Sequence, residues 1–133
     1  EIFIDEAASG GNHQYNFNAL AYHIALDGKV VDIGPDSTFR FFDDHCFTRL
    51  ITRDKVSTWE IAVRIFDGNR YEFGAENVPK LLSRGKKMGF ALAYCDNDRS
   101  AEREHFMGNV EIPGKDKNRG WIDADVFGLL ELK

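Results

Sequence analysis

The sequence predicts an all-β fold, an antiparallel β-sandwich of immunoglobulin or jelly-roll type with one short helix. Three observations predict it. Apolar and polar residues alternate with a period of two in one segment after another, as half-buried strands require. Turn signals built from Gly, Asn, Asp and Pro separate those segments at intervals of roughly 10 residues. Eleven Phe among 133 residues suit a core of aromatic rings between two layers.

Residues 1–5 alternate, with Ile2 and Ile4 facing one way and Glu1, Phe3 and Asp5 the other, until Ser9-Gly10-Gly11-Asn12 breaks the strand. From 15 to 26 the period is again two, with Leu20, Tyr22 and Ile24 opposite Ala19, Ala21, His23 and Ala25. The small residues of that second face leave room beside His23. Asp27-Gly28 followed by 29–33 signals a hairpin, and Gly34-Pro35-Asp36-Ser37 turns the chain towards a short extended piece bearing Phe39, Phe41 and Phe42. Two longer strands, 47–53 and 58–66, are joined by Asp54-Lys55-Val56-Ser57. In the second of them Trp59, Ile61, Val63 and Ile65 share a face, which assigns Trp59 to the core. The helix is predicted around 77–82, with Pro79 near its first turn and Gly85 ending it. Strands follow at 90–94 and 105–112, a helical turn at 123–127 and a closing strand at 128–133. No repeat, low-complexity tract or linker divides the chain, so residues 1–133 read as one domain.

The bulk numbers exclude some classes. A net charge of −5 argues against a nucleic-acid or anionic-membrane surface, since either needs a basic stripe. No apolar run approaches the roughly 20 residues needed to cross a bilayer. The chain opens on EIFID, in mid-strand, so an N-terminal part of the domain is expected to lie outside this sequence. Cys46 and Cys95 have no CxxC spacing and offer no thiolate zinc pattern; two separate buried thiols are expected, with a disulfide in an exported protein as the alternative.

Chemistry concentrates between Gly89 and Trp121. Enzyme signatures such as GxSxG, GxGxxG, HExxH and a Walker loop are absent, and the His residues at 13, 23, 45 and 105 are scattered. Glu60 and Glu104 would serve glycoside hydrolysis only if the fold set them face to face. The loop Asp96-Asn97-Asp98 with Glu102 and Glu104 supplies closely spaced hard oxygens, and hence a candidate calcium site of Asp96, Asp98 and Glu102, with Asp5 donated from the first strand. The alternative is a solvated turn in which Asp98 pairs with Arg99 or Arg103. Trp121 follows the turn Asn118-Arg119-Gly120. A sugar packs its C–H face on such a ring and pairs its hydroxyls with amides and charges, a role that suits Asn118, Arg103 and Asn97. The alternative for Trp121 is a plug at one end of the sandwich.

Four fragments in this order, EIFID, WEIAVRIF, GFALAYCDND with ERE and MGN following, and GWIDADVFGLLELK, resemble the family 9 carbohydrate-binding modules, which belong with the wider DOMON-like sandwiches. The closing W-x5-FG-x-L-x-L pattern is the most specific of them. The resemblance implies a secreted antiparallel β-sandwich with structural calcium, appended to enzymes that degrade plant polysaccharides. Such modules bind glycan chain ends and soluble sugars between two aromatic side chains. Carried over, the site residues are Trp121, Asn118 and Glu1. The family's other aromatic and several opening strands fall outside this sequence, to be supplied by a missing N-terminal segment or a second chain. Where the family often carries Arg and Asn, this chain has small residues and then Tyr22-His23, so a different ligand is expected, with His23 touching it or a metal. The expected function is non-catalytic carbohydrate binding that targets an appended or partner enzyme to its substrate. The alternatives are a DOMON-type haem domain for electron transfer, with Met107 or Met88 and His23 or His105 as axial ligands, and a metal-dependent polysaccharide-active enzyme built around His23, Glu60 and Arg103.

Overall fold

The alternating segments fold as nine strands in a computed structural model that describes residues 1–133: β1 (Ile2–Asp5), β2 (Leu20–Ile24), β3 (Val30–Ile33), β4 (Phe39–Phe41), β5 (Cys46–Arg53), β6 (Val56–Val63), β7 (Lys87–Asp96), β8 (His105–Gly108) and β9 (Gly128–Glu131). Seven of them form one antiparallel sheet in the order β4-β3-β2-β1-β7-β8, with β9 also on β7. Strand β7 is the spine. One edge pairs with β1 over 89–92, and the other is shared end to end by β9 over 87–90 and β8 over 93–96. Strands β5 and β6 make a separate two-stranded ribbon.

The predicted alternation sorts the side chains onto the two sheet faces. On one face Ile2, Leu20, Tyr22 and Val30 are buried with Phe42, Cys46 and Tyr71, and Ile61 and Val63 of the ribbon pack against them. The ribbon is therefore the second layer of the sandwich. Rings dominate this core, with Tyr22 and Phe42 edge-to-face at 5.9 Å and 86°. On the opposite face Phe3, Ala21, Ala91 and Ala93 are buried, and Phe106, Val110, Trp121 and Phe127 pack onto them. Single 3-10 turns at Arg119–Trp121 and Ala124–Val126 carry the chain across that face, the second with Asp123 capping Asp125 N–H.

The helix expected at 77–82 does not form. Six residues fix too many dihedrals for the hydrogen bonds they would close, and Leu81 and Leu82 lie 98% and 40% exposed, so no apolar stripe is available to bury. Instead the Asn77 amide closes a loop, accepting from Glu72 N–H (2.9 Å) and donating to Glu72 C=O (2.8 Å). Lys80 N–H then donates to Ile65 C=O at 2.7 Å. Trp59 is half-buried opposite Leu50 on the ribbon rather than in either core, because the hairpin runs past the edge of what it covers. That hairpin turns on only Asp54 and Lys55, with φ of 49° and 65°, so Val56 and Ser57 belong to β6. Strand β8 stops at Gly108 because Asn109 finishes the ladder with both backbone and side chain, N–H to Leu92 C=O at 3.0 Å and Oδ1 from Leu92 N–H at 2.6 Å.

Candidate functional site

Register builds the site. Phe3 lies opposite both Ala21 and Ala91, so Glu1, Phe3, Ala21, His23, Ala91, Ala93 and Cys95 project from one face of β1, β2 and β7. Cys95 in turn lies opposite Phe106 of β8. Small side chains make the middle of this face shallow, and larger polar ones stand at its end near Glu1.

Four predicted residues meet there. Glu1 Oε1 lies 3.6 Å from His23 Nε2 and 4.0 Å from an Arg103 guanidinium nitrogen. His23 Nδ1–H donates to Ala21 C=O at 2.8 Å, which aims Nε2 at the carboxylate. Arg103 donates to Asn118 Oδ1, and its guanidinium sits 4.0 Å above the Phe106 ring. Asn118 C=O accepts Trp121 N–H at 3.3 Å, and the half-buried Trp121 ring packs onto the Phe3, Ala21, Ala91 and Ala93 cluster. Carboxylate, imidazole, guanidinium and amide thus converge beside the Phe106 ring.

Sequence reasoning missed two members of this cluster. The Cys95 thiol donates to Glu1 Oε1 at 3.2 Å, and its sulfur accepts from Arg103 at 3.7 Å. Desolvation of the sulfur raises the thiol pKa, with Glu1 adding to the rise and Arg103 opposing it, so it stays protonated and able to donate at neutral pH. Phe106 supplies the plate under Arg103. Both were readable from parity, since Cys95 continues the row of Ala91 and Ala93, and the second strand residue after ERE falls opposite it. The cysteines are free and lie apart, Cys46 buried and Cys95 exposed, so the paired-thiol alternative falls and only one of the two thiols is buried.

The acidic loop gathers a different trio from the one expected. Asp96, Asp98 and Glu104 place carboxylate oxygens within 4.8 Å of one another. Glu104 takes the place assigned to Glu102, because Glu104 N–H donates to Asp96 C=O (2.9 Å) and folds that residue back over the loop, where its carboxylate accepts Asp98 N–H (3.1 Å). Asp98 makes no ion pair with Arg99 or Arg103, whose charge goes to Glu1. Asp5 is not part of the group. It lies opposite Gly89 at the far end of β7, where its buried carboxylate accepts from Ala7 N–H (3.1 Å) and Gly10 N–H (2.7 Å). Asn97 also stands outside the Glu1 cluster, its amide engaged with Ser100 at 2.9 and 3.1 Å.

The residues of the alternative readings do not converge. Met107 and His105 occupy the face of the sheet opposite His23, Met107 beside Tyr94 and His105 beside Asp96, while the buried Met88 lies beyond β1 towards the other end of β7. No such Met–His pair brackets a haem plane. Glu60 points outwards from the ribbon opposite Arg49, away from His23 and Arg103.

No helix is long and apolar enough to cross a membrane. No curated protein and no solved structure matches the chain. A family model does match, over residues 1–133, and its description is carbohydrate family 9 binding domain-like. The antiparallel β-sandwich agrees with that match, and the chain belongs to the carbohydrate family 9 binding domain-like family.

Proposed function

We propose that this domain binds a sugar ring at the Glu1–His23–Arg103–Asn118 cluster, taking glycan chain ends or soluble oligosaccharides without cleaving them. The observation that carries the reading is the convergence of those side chains, from four separate stretches of sequence, beside the Phe106 ring. Each has work to do on a polyol. The Glu1 carboxylate accepts two hydroxyl protons, Arg103 and Asn118 donate, and the aromatic faces cover the sugar's C–H groups. Calcium held by Asp96, Asp98 and Glu104 would fix the loop from which Arg103 springs, as three converging carboxylates favour a divalent cation. We further propose that the domain is exported and serves a glycoside-active enzyme.

Calorimetry against glucose, xylose, cellobiose and xylobiose tests the binding reading. Asn118→Ala is the informative variant, because Asn118 is exposed and its loss leaves the core untouched. Binding to one or more of these sugars, weakened about 3- to 10-fold by Asn118→Ala, is the expected result. Absence of heat with every sugar, or an unchanged affinity in the variant, would sink it. Trp121→Ala is less discriminating, since the ring also packs on four buried side chains and its removal strains the fold.

A further inference from the structure

Beside the polar cluster lies a cavity of about 300 Å³ lined by Phe3, Ala91, Ala93, Phe106, Val110 and Ile112, with Gly108 and Gly120 where side chains would otherwise fill it. A Cβ on Gly120 would meet only Phe3 at 3.7 Å and Ile112 at 4.0 Å, so nothing in the packing demands glycine there and the space is real. Its charged residues are Glu111 and Lys117. Lys117 Nζ is turned aside to Ile112 C=O at 2.5 Å.

We propose that this cavity receives a planar apolar group attached to the bound sugar, an aryl aglycone or an aromatic ester. The inference rests on the sugar reading above and names the substituent that the sugar carries. Three facts support it. The walls are mainly apolar, with side-chain hydrogen-bonding groups only at Glu111 and Lys117, so a second hydroxylated sugar would lose more water there than it could replace. The size fits one ring with a short linker, since an apolar cavity of about 150 Å³ already takes benzene. And the cavity adjoins the cluster: Phe106 lines it while carrying Arg103 at 4.0 Å, and Ala93 lines it while its carbonyl accepts from the Glu1 backbone nitrogen at 2.7 Å. A substituent on a ring held at Glu1 and Arg103 would reach the cavity past Phe106.

The test uses matched pairs, methyl and phenyl β-D-glucopyranoside and methyl and phenyl β-D-xylopyranoside, together with phenol alone. Calorimetry is expected to give the phenyl glycoside a Kd roughly 10- to 100-fold below that of its methyl partner, from burial of one ring. Phenol alone should shift the methyl NMR signals of Ala91, Ala93 and Ile112. Ile112→Phe, which fills the cavity from its loop side, should erase the phenyl advantage and leave methyl glycoside affinity as it was. Equal affinities within each pair, with phenol shifting none of those methyls, would overturn the proposal while methyl glycoside binding upheld the sugar site. Phenol shifts at the cavity with no glycoside bound would overturn the sugar reading and keep the cavity as an aromatic site.

Discussion

Arg103 offers the sharpest separation of binding from folding. Its guanidinium reaches Glu1, Asn118 and Cys95 and covers Phe106, yet its side chain is 33% exposed and belongs to a loop. Arg103→Met keeps an apolar stem on the Phe106 ring and removes only the charged fork. The stability terms lost are a partly solvated ion pair of about 0–1 kcal/mol and a cation–π contact of about 0.5–1 kcal/mol. Together, about 0.5–2 kcal/mol, they predict a Tm lower by roughly 2–12 °C for a domain of this size. A charge-assisted hydrogen bond to a sugar hydroxyl, by contrast, contributes about 1.5–3 kcal/mol. Its loss predicts a Kd raised roughly 10- to 150-fold. Calorimetry with cellobiose and xylobiose, alongside scanning calorimetry and an Arg49→Met control on the outer face of the ribbon, reads both quantities. A folded Arg103→Met protein with wild-type affinity would refute the assignment. So would an Arg49→Met variant that lost binding equally.

Calcium at Asp96, Asp98 and Glu104 predicts that EDTA lowers the Tm, by the equivalent of about 2.7 kcal/mol where calcium had been at 100 times its Kd, and that Asp98→Asn removes the response; identical melting with calcium and with EDTA would dismiss the site. Asp32 is raised to about 6 by desolvation, against the backbone hydrogen bonds from Ala21 and Ile33. A raised acid binds its proton more tightly in the folded state, so its contribution is present below the unfolded value near 3.8 and is lost as pH rises through about 6. The difference amounts to about 3 kcal/mol, and urea unfolding of Asp32→Asn between pH 4 and 7 should lack that downward slope. His13 and His45 act in the opposite sense, since burial lowers both and their contribution disappears as pH falls below 6.5. Lys55→Gly relieves a left-handed residue in the ribbon turn and should stabilise by about 0.5–1 kcal/mol, seen as a higher urea midpoint; a lower midpoint would contradict the turn geometry.

Much of the sheet was legible because its signal is local. Alternation at 1–5 and 15–26 names the face of each residue there, and that parity, carried onto β7 by its register with β1, sets Glu1, His23 and Cys95 on one face. The polar site was legible in pieces. Glu1 and Asn118 entered through the family resemblance, Arg103 through the chemistry of its loop, and His23 through the small residues flanking it. What failed was spacing beyond one strand or inside a loop. Asp5 shares parity with Glu1 but stands four residues along, roughly 13 Å away, which already separates it from anything at the Asp96 end. Choosing Glu104 over Glu102 required knowing which residue pairs with Asp96 across the β7–β8 turn, a tertiary fact. The helix at 77–82 was read from Pro and Gly punctuation, and punctuation says nothing about whether a face exists to bury.

The shallow middle of the binding face has a mechanical consequence. On the sheet side its relief comes from missing atoms, alanines on strands hydrogen-bonded along both edges. That side of the mould is already cast before the guest arrives. Amides at 91 and 93 should then exchange with solvent equally slowly whether the trough is filled or bare.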